Sequence, residues 1–139
     1  MSAVIEKHDH HHGPQKGIFR WLFTTNHKDI GTLYLWFSFL MFLTGGAMAM
    51  GIRAELFEPG LQLMDPIRYN QLVTMHGLIM IFGGVMPAFV GLANWLIPMQ
   101  VGAPDMALPR MNNLSFWLLP AAFTILLSTA FMEGGMPGF

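Results

Sequence analysis

One ionisable side chain, His76, stands inside an otherwise apolar run, YNQLVTMHGLIMIFGGVMPAFVG. An imidazole at such depth is costly to keep in a bilayer, so a functional role is the first hypothesis. Neutral imidazole is a common ligand of haem iron. At helical spacing from Tyr69, the residues Val73, His76, Met80 and Gly83 share one face. Small or flexible apolar groups flank the ring there and leave room for a flat macrocycle. Gly77, Gly84 and Gly91, seven apart, make an adjacent smooth stripe suited to close helix contact. The other reading is a histidine hydrogen-bonded to a neighbouring helix, and spacing alone supports both equally.

Two further groups could do chemistry. Gly45, Ala49 and Arg53 recur every four residues, so two small residues leave a groove leading to a guanidinium. Such an arginine could hydrogen-bond a polar substituent or propionate of a cofactor, or simply snorkel to the membrane surface. In NWLIPMQVGAPDMALPRMNN, the carboxylate of Asp105 lies between Asn94 and the pair Asn112–Asn113. A carboxylate at a funnel mouth, followed by amides that can hold water, suits proton uptake. A helix N-cap beside Arg110 is the alternative, and spacing alone favours it.

These residues need elements to position them, and composition says which. Hydrophobic residues make up 53% of the 139 and charged residues 11%, well under the soluble share of roughly 25%. Between Lys28 and Arg53 the only charge is Asp29; between Arg68 and Asp105, and between Arg110 and Glu133, there is none. Stretches of about 20 such residues are what a bilayer crossing requires. The expected architecture is all-α and membrane-integral, with spans at about 29–52, 68–98 and 113–132. Residues 18–28 mix aromatics with Arg20 and Lys28, as an interfacial approach does. The loop 54–67 and the 100–112 connection carry the turn residues and acids.

Residues 1–17 read as a polar, disordered, His-rich tail; HDHHH invites a metal-site reading, but a flexible tail gives no fixed geometry. No cleavable signal peptide is evident, so the first span is expected to direct its own insertion. EGGMPGF at the other end reads as a Gly/Pro turn. Near-neutral charge suggests no nucleic-acid partner, and the chain has no cysteine for disulfides or thiolate sites. Lys7, Lys16, Arg20, Lys28 and Arg110 fall on one side of the membrane, Arg53 and Arg68 on the other. The positive-inside bias then puts the N-terminus and the 100–112 loop in the cytoplasm.

The segments TTNHKDIGTLY, IRAEL, MHGLIMIF, VMPAFVGLANWLIP, VGAPDMALPRMNNLSFWLLP and MEGG resemble subunit I of haem–copper oxidases, specifically the A-type cytochrome c oxidases. The resemblance covers residues 18–139, and GAPDMALPRMNNLSFW is its most specific motif. It implies that His76 is one axial ligand of low-spin haem a and that Arg53 contacts the haem formyl group. Gly45, Ala49, Tyr69, Val73 and Met80 would line that pocket. Asp105 would be the mouth of the D-channel, with Asn94, Asn112 and Tyr34 along its lower part. Glu55, the carbonyls of Glu58 and Gly60, and Gln62 would match an outer calcium or sodium site, where oxygen ligands suit a hard cation. The implied partners are the remainder of subunit I, subunits II and III, cytochrome c and the lipid of a bacterial or mitochondrial inner membrane.

Pro104 stands where related quinol oxidases typically carry a basic residue, which favours cytochrome c as donor. Family members have about twelve spans, and the residues for the second haem a ligand, haem a3, CuB and the K-channel do not occur in this sequence. The expectation is therefore a piece of the redox-driven proton pump that cannot reduce oxygen alone. The alternatives are a quinol oxidase subunit, a non-catalytic haem-binding membrane module and a cofactor-free three-helix protein. A visible spectrum separates haem a from haem b and from no haem.

Overall fold

The computed structural model describes residues 17–132. The expected His-rich tail and the EGGMPGF turn lie outside the described residues, apart from Gly17. A short helix α1 (Ile18–Phe23) leads into α2 (His27–Glu55). The next helix is α3 (Pro66–Leu78), which continues through a π-helical segment (Ile79–Val85) into α4 (Met86–Val101). The last is α5 (Pro109–Ser128), closed by one 3₁₀ turn (Thr129–Phe131). Three of these runs, His27–Glu55, Pro66–Val101 and Pro109–Phe131, are long and apolar enough to cross a membrane. The all-helical membrane architecture expected from composition is what the chain adopts.

Local chemistry accounts for the ends. The side chain of Asn26 accepts from the Lys28 N–H at 3.0 Å and caps α2. Proline stands in the first turn of both α3 and α5, where its missing N–H costs nothing. Gly102, at φ 74°, takes the left-handed conformation that ends α4, and the Ala103 N–H returns to the Pro98 carbonyl.

The π segment has a cause close by. Pro87 has no N–H to continue an α ladder, and its ring crowds the carbonyl four residues earlier. The backbone widens just before it, so that the Met86 N–H donates to Ile81, five residues back. Ser38 on α2 then donates to the Gly84 carbonyl at 2.6 Å.

Helix α2 is the centre, packed against α3, the π segment, α4 and α5. Its core joins Ile30, Tyr34 and Phe37 to Met75, Ile79, Phe116 and Phe123. Phe37 meets Phe123 edge-on at 5.4 Å and Tyr34 meets Phe116 at 5.2 Å. Large apolar residues elsewhere, including Phe42, Leu43, Phe89 and Leu118, are exposed. That inverts the soluble pattern and suits a chain whose solvent is hydrocarbon.

The heptad of glycines does not form the single stripe that its spacing suggests. A methyl on Gly77 would meet open space, whereas one on Gly91 would strike the Gly31 carbonyl. At the bulge it is Gly83 that seats Met41 and Phe123. The wide π turn falls between Gly77 and Gly91 and rotates the second half of the helix relative to the first.

Candidate functional site

His76 projects from α3 toward α2, half-buried, with Nδ1 2.9 Å from the carbonyl oxygen of Gly45. A carbonyl can only accept, so Nδ1 carries a proton, and in the neutral ring Nε2 keeps its lone pair. Metal-bound histidines are oriented by this kind of bond from the far nitrogen. The two sequence readings of His76 are thus compatible. The hydrogen bond to a neighbouring helix exists, and it uses the nitrogen that leaves the other free to ligate.

Around it, the smooth surface at Gly45 is filled from across the helix pair. A Cβ there would lie 2.6 Å from the Met80 sulfur. Ala49, Tyr69 and Met80 are half-buried, and Val73 is exposed. Arg53, in the last turn of α2, is exposed and forms no ion pair among the described residues.

Glu55 closes α2 beyond the apolar stretch of 29–52, and its side chain is buried. Its Oε1 accepts from the Gln62 N–H at 2.9 Å, and its Oε2 from Leu63 and Met64 at 2.8 and 3.0 Å. Those N–H donors, Gln62 first, hold the carboxyl below the usual carboxylate range. Glu55, Glu58, Gly60 and Tyr69 line one cavity of about 490 Å³, while Gln62 meets Glu55 through its backbone.

At the opposite end of the bundle, Asp105 does not cap its own helix but joins Asn26 in capping α2, by accepting from the first N–H of that helix. Its Oδ1 accepts from the His27 N–H at 3.3 Å, the His27 Nδ1 at 3.1 Å and the Met106 N–H at 2.8 Å. Helix α5 has no side-chain cap, and Arg110 does not pair with Asp105. All three bonds fall on one oxygen, and the side chain is 40% exposed, so Oδ2 is left for solvent.

Deeper in the bundle, Tyr34, Asn94 and Asn112 come together. Asn112 Nδ2 donates to Asn94 Oδ1 at 2.6 Å, and Asn94 Nδ2 donates to the Val90 carbonyl at 3.0 Å. Ser115 donates to the Asn112 carbonyl at 2.7 Å, so the Tyr34 hydroxyl, 2.8 Å away, donates to Ser115. Two buried nitrogens, Asn113 Nδ2 and His27 Nε2, have no partner among the described residues; buried polar atoms of this kind call for water.

His27 and Ser115 were not singled out by sequence reasoning. Ser115 follows Asn112 by three, a spacing that puts both on one helical face and could have flagged it. His27 lies 78 residues from its partner Asp105, and no local pattern connects them.

A sequence model of the family described as "Cytochrome C and Quinol oxidase polypeptide I" matches residues 29–139. The chain is 50% identical over 112 residues to a probable cytochrome c oxidase subunit 1-alpha of Streptomyces coelicolor, covering 81% of this chain and 19% of that protein. It is 41% identical over 150 residues to cytochrome c oxidase subunit 1 of Corynebacterium efficiens, covering 100% of this chain and 26% of that protein. The chain thus spans about a fifth to a quarter of the length of these curated relatives. Matched over most of its length, it belongs to the cytochrome c and quinol oxidase polypeptide I family.

Proposed function

We propose that this chain supplies three membrane helices of the catalytic subunit of a cytochrome c oxidase, carrying one axial ligand of low-spin haem a and the mouth of a proton-uptake path. The observation that carries this reading is the His76 Nδ1–Gly45 bond at 2.9 Å, which puts the proton on Nδ1 and supports Nε2 as the nitrogen that would ligate. The donor set fits: one imidazole on a half-buried face, beside a glycine and a flexible thioether. Haem a, when bound, accepts and passes on single electrons. Arg53 would donate to its formyl group, and Ala49, Tyr69 and Val73 would border it.

Protons would reach the subunit through Asp105, whose Oδ2 faces water while Oδ1 is anchored. Asn94, Asn112, Tyr34 and Ser115 would hold the waters that carry them inward. Pro104 supports cytochrome c rather than quinol as donor. The rest of subunit I would contribute haem a3 and CuB, with subunits II and III alongside. The side rich in basic residues would face the cytoplasm across a bacterial inner membrane. Glu55 would anchor a loop holding calcium or sodium.

Replacing His76 by Leu in the complete subunit tests the ligand. The low-spin haem a bands should disappear or give way to those of a five-coordinate iron, because Met80, one turn on, offers only a thioether. An unchanged low-spin spectrum would show that His76 is not a ligand.

A further inference from the structure

The first turn of helix α2 carries a basic residue that no carboxylate neutralises among the described residues. Asp29 is held by Arg20 through two contacts at 3.0 Å, and Asp105 by His27. Lys28 is exposed and forms no ion pair among the described residues. Its ammonium lies 5.8 Å from the centre of the Trp95 ring. One turn along, the Thr32 hydroxyl donates to the Lys28 carbonyl at 2.8 Å and accepts from Trp95 Nε1 at 3.3 Å. Beyond Thr32 the surface becomes hydrocarbon: Thr32, Leu35, Trp36 and Phe39 line a groove of about 330 Å³.

Charge, hydroxyl and hydrocarbon therefore follow one another up a single helix face. From Lys28 to Phe39 the helix rises about 16 Å, close to the roughly 15 Å depth of one leaflet's hydrocarbon. A phospholipid presents the complementary order: anionic phosphate, ester, acyl chain. Large side chains line this groove, whereas helix–helix contacts in membranes favour small ones, as where α2 meets α4 at Gly31 and Gly91. A flexible acyl chain conforms to such a surface better than a rigid helix does.

We propose that this groove binds an anionic phospholipid, with the phosphate on Lys28 and one acyl chain along Leu35, Trp36 and Phe39. The site lies apart from His76, and although Lys28 follows the His27 that holds Asp105, it does not depend on the redox reading.

The test uses the oxidase complex containing this chain, reconstituted in vesicles of phosphatidylglycerol and phosphatidylcholine in equal amounts. Trace lipid of either headgroup, with a diazirine on the acyl chain, is photolysed, and adducts on residues 35–39 are counted by mass spectrometry. Phosphatidylglycerol should label this segment about five-fold more than phosphatidylcholine, the equivalent of roughly 1 kcal/mol for one lysine at an anionic surface. Lys28→Gln should bring the two to parity, and Lys28→Arg should keep the preference. Equal labelling of the wild type by both lipids would overturn the proposal in favour of unselective boundary lipid. Absence of adducts at 35–39 would overturn it too, because another protein segment then covers the groove.

Discussion

Gly31 and Gly91 meet backbone to backbone. A methyl built on Gly31 would come within 2.9 Å of the Gly91 carbonyl oxygen, and one built on Gly91 within 3.0 Å of the Gly31 carbonyl. Neither oxygen can swing aside without moving its helix. Gly31→Ala or Gly91→Ala should therefore destabilise the α2–α4 pair by about 1–3 kcal/mol. Gly46→Ala, where a methyl meets open space, should be neutral or stabilising by up to roughly 1 kcal/mol. Thermal loss of helix, followed by circular dichroism of the chain in detergent, checks the contrast. Equal midpoints for the variants at 31 and 46 would refute the close crossing.

Asp105→Asn keeps an oxygen for the His27 and Met106 N–H groups, so the cap should survive with a change within about 0.5 kcal/mol. Its amide cannot gather a proton. In the complete enzyme, turnover should slow and pumping should be lost while haem spectra stay normal. Protons released per electron in reconstituted vesicles decide the matter. Wild-type stoichiometry would leave Asp105 with the capping role alone.

For Glu55, substitution by Gln replaces one of two accepting oxygens with an amide NH2 that confronts N–H donors. Amide exchange at residues 62–64 should quicken by roughly ten-fold or more. Acid should act in the same direction. The native carboxyl titrates below the usual carboxylate range, so protection is complete above that range and fades as pH falls through the lowered native value. Unaltered exchange in the Gln variant would mean that the carboxylate does not hold the loop.

Orientation can be read with a single thiol, since the chain has no cysteine of its own. With Glu58→Cys, an impermeant maleimide should react from the outside of sealed, right-side-out vesicles and not from within. Three of the five described basic residues, Arg20, Lys28 and Arg110, lie at the other end, and the positive-inside bias would put that end in the cytoplasm. Labelling from the cytoplasmic face alone would reverse the topology.

Charge-free stretches between Asp29 and Arg53, Arg68 and Asp105, and Arg110 and Glu133 made the three spans legible, because a bilayer imposes its length on any chain that crosses it. His76 stood out for the same reason. What stayed hidden depends on partners distant in sequence. Asp105 was readable as a cap, yet the helix it caps begins 78 residues earlier. Glu55 looked like a cation ligand, and the three N–H groups it gathers belong to loop geometry that composition does not encode. The π segment was missed because Pro87 was read as part of an uninterrupted span. Its consequence, the breaking of the Gly77–Gly84–Gly91 stripe, was missed with it.

That segment decides where the second span aims its polar side chains. His76 and Asn94 are 18 positions apart, which at 3.6 residues per turn is about five whole turns. In a regular helix both would point on the same bearing, toward the same neighbour. Here His76 reaches α2 and Asn94 reaches α5. The widened turn between them lets one rod address two different partners. Inserting or removing one residue within 79–85 would swing one half against the other by roughly 100°, and either the imidazole or the amide would lose its correspondent.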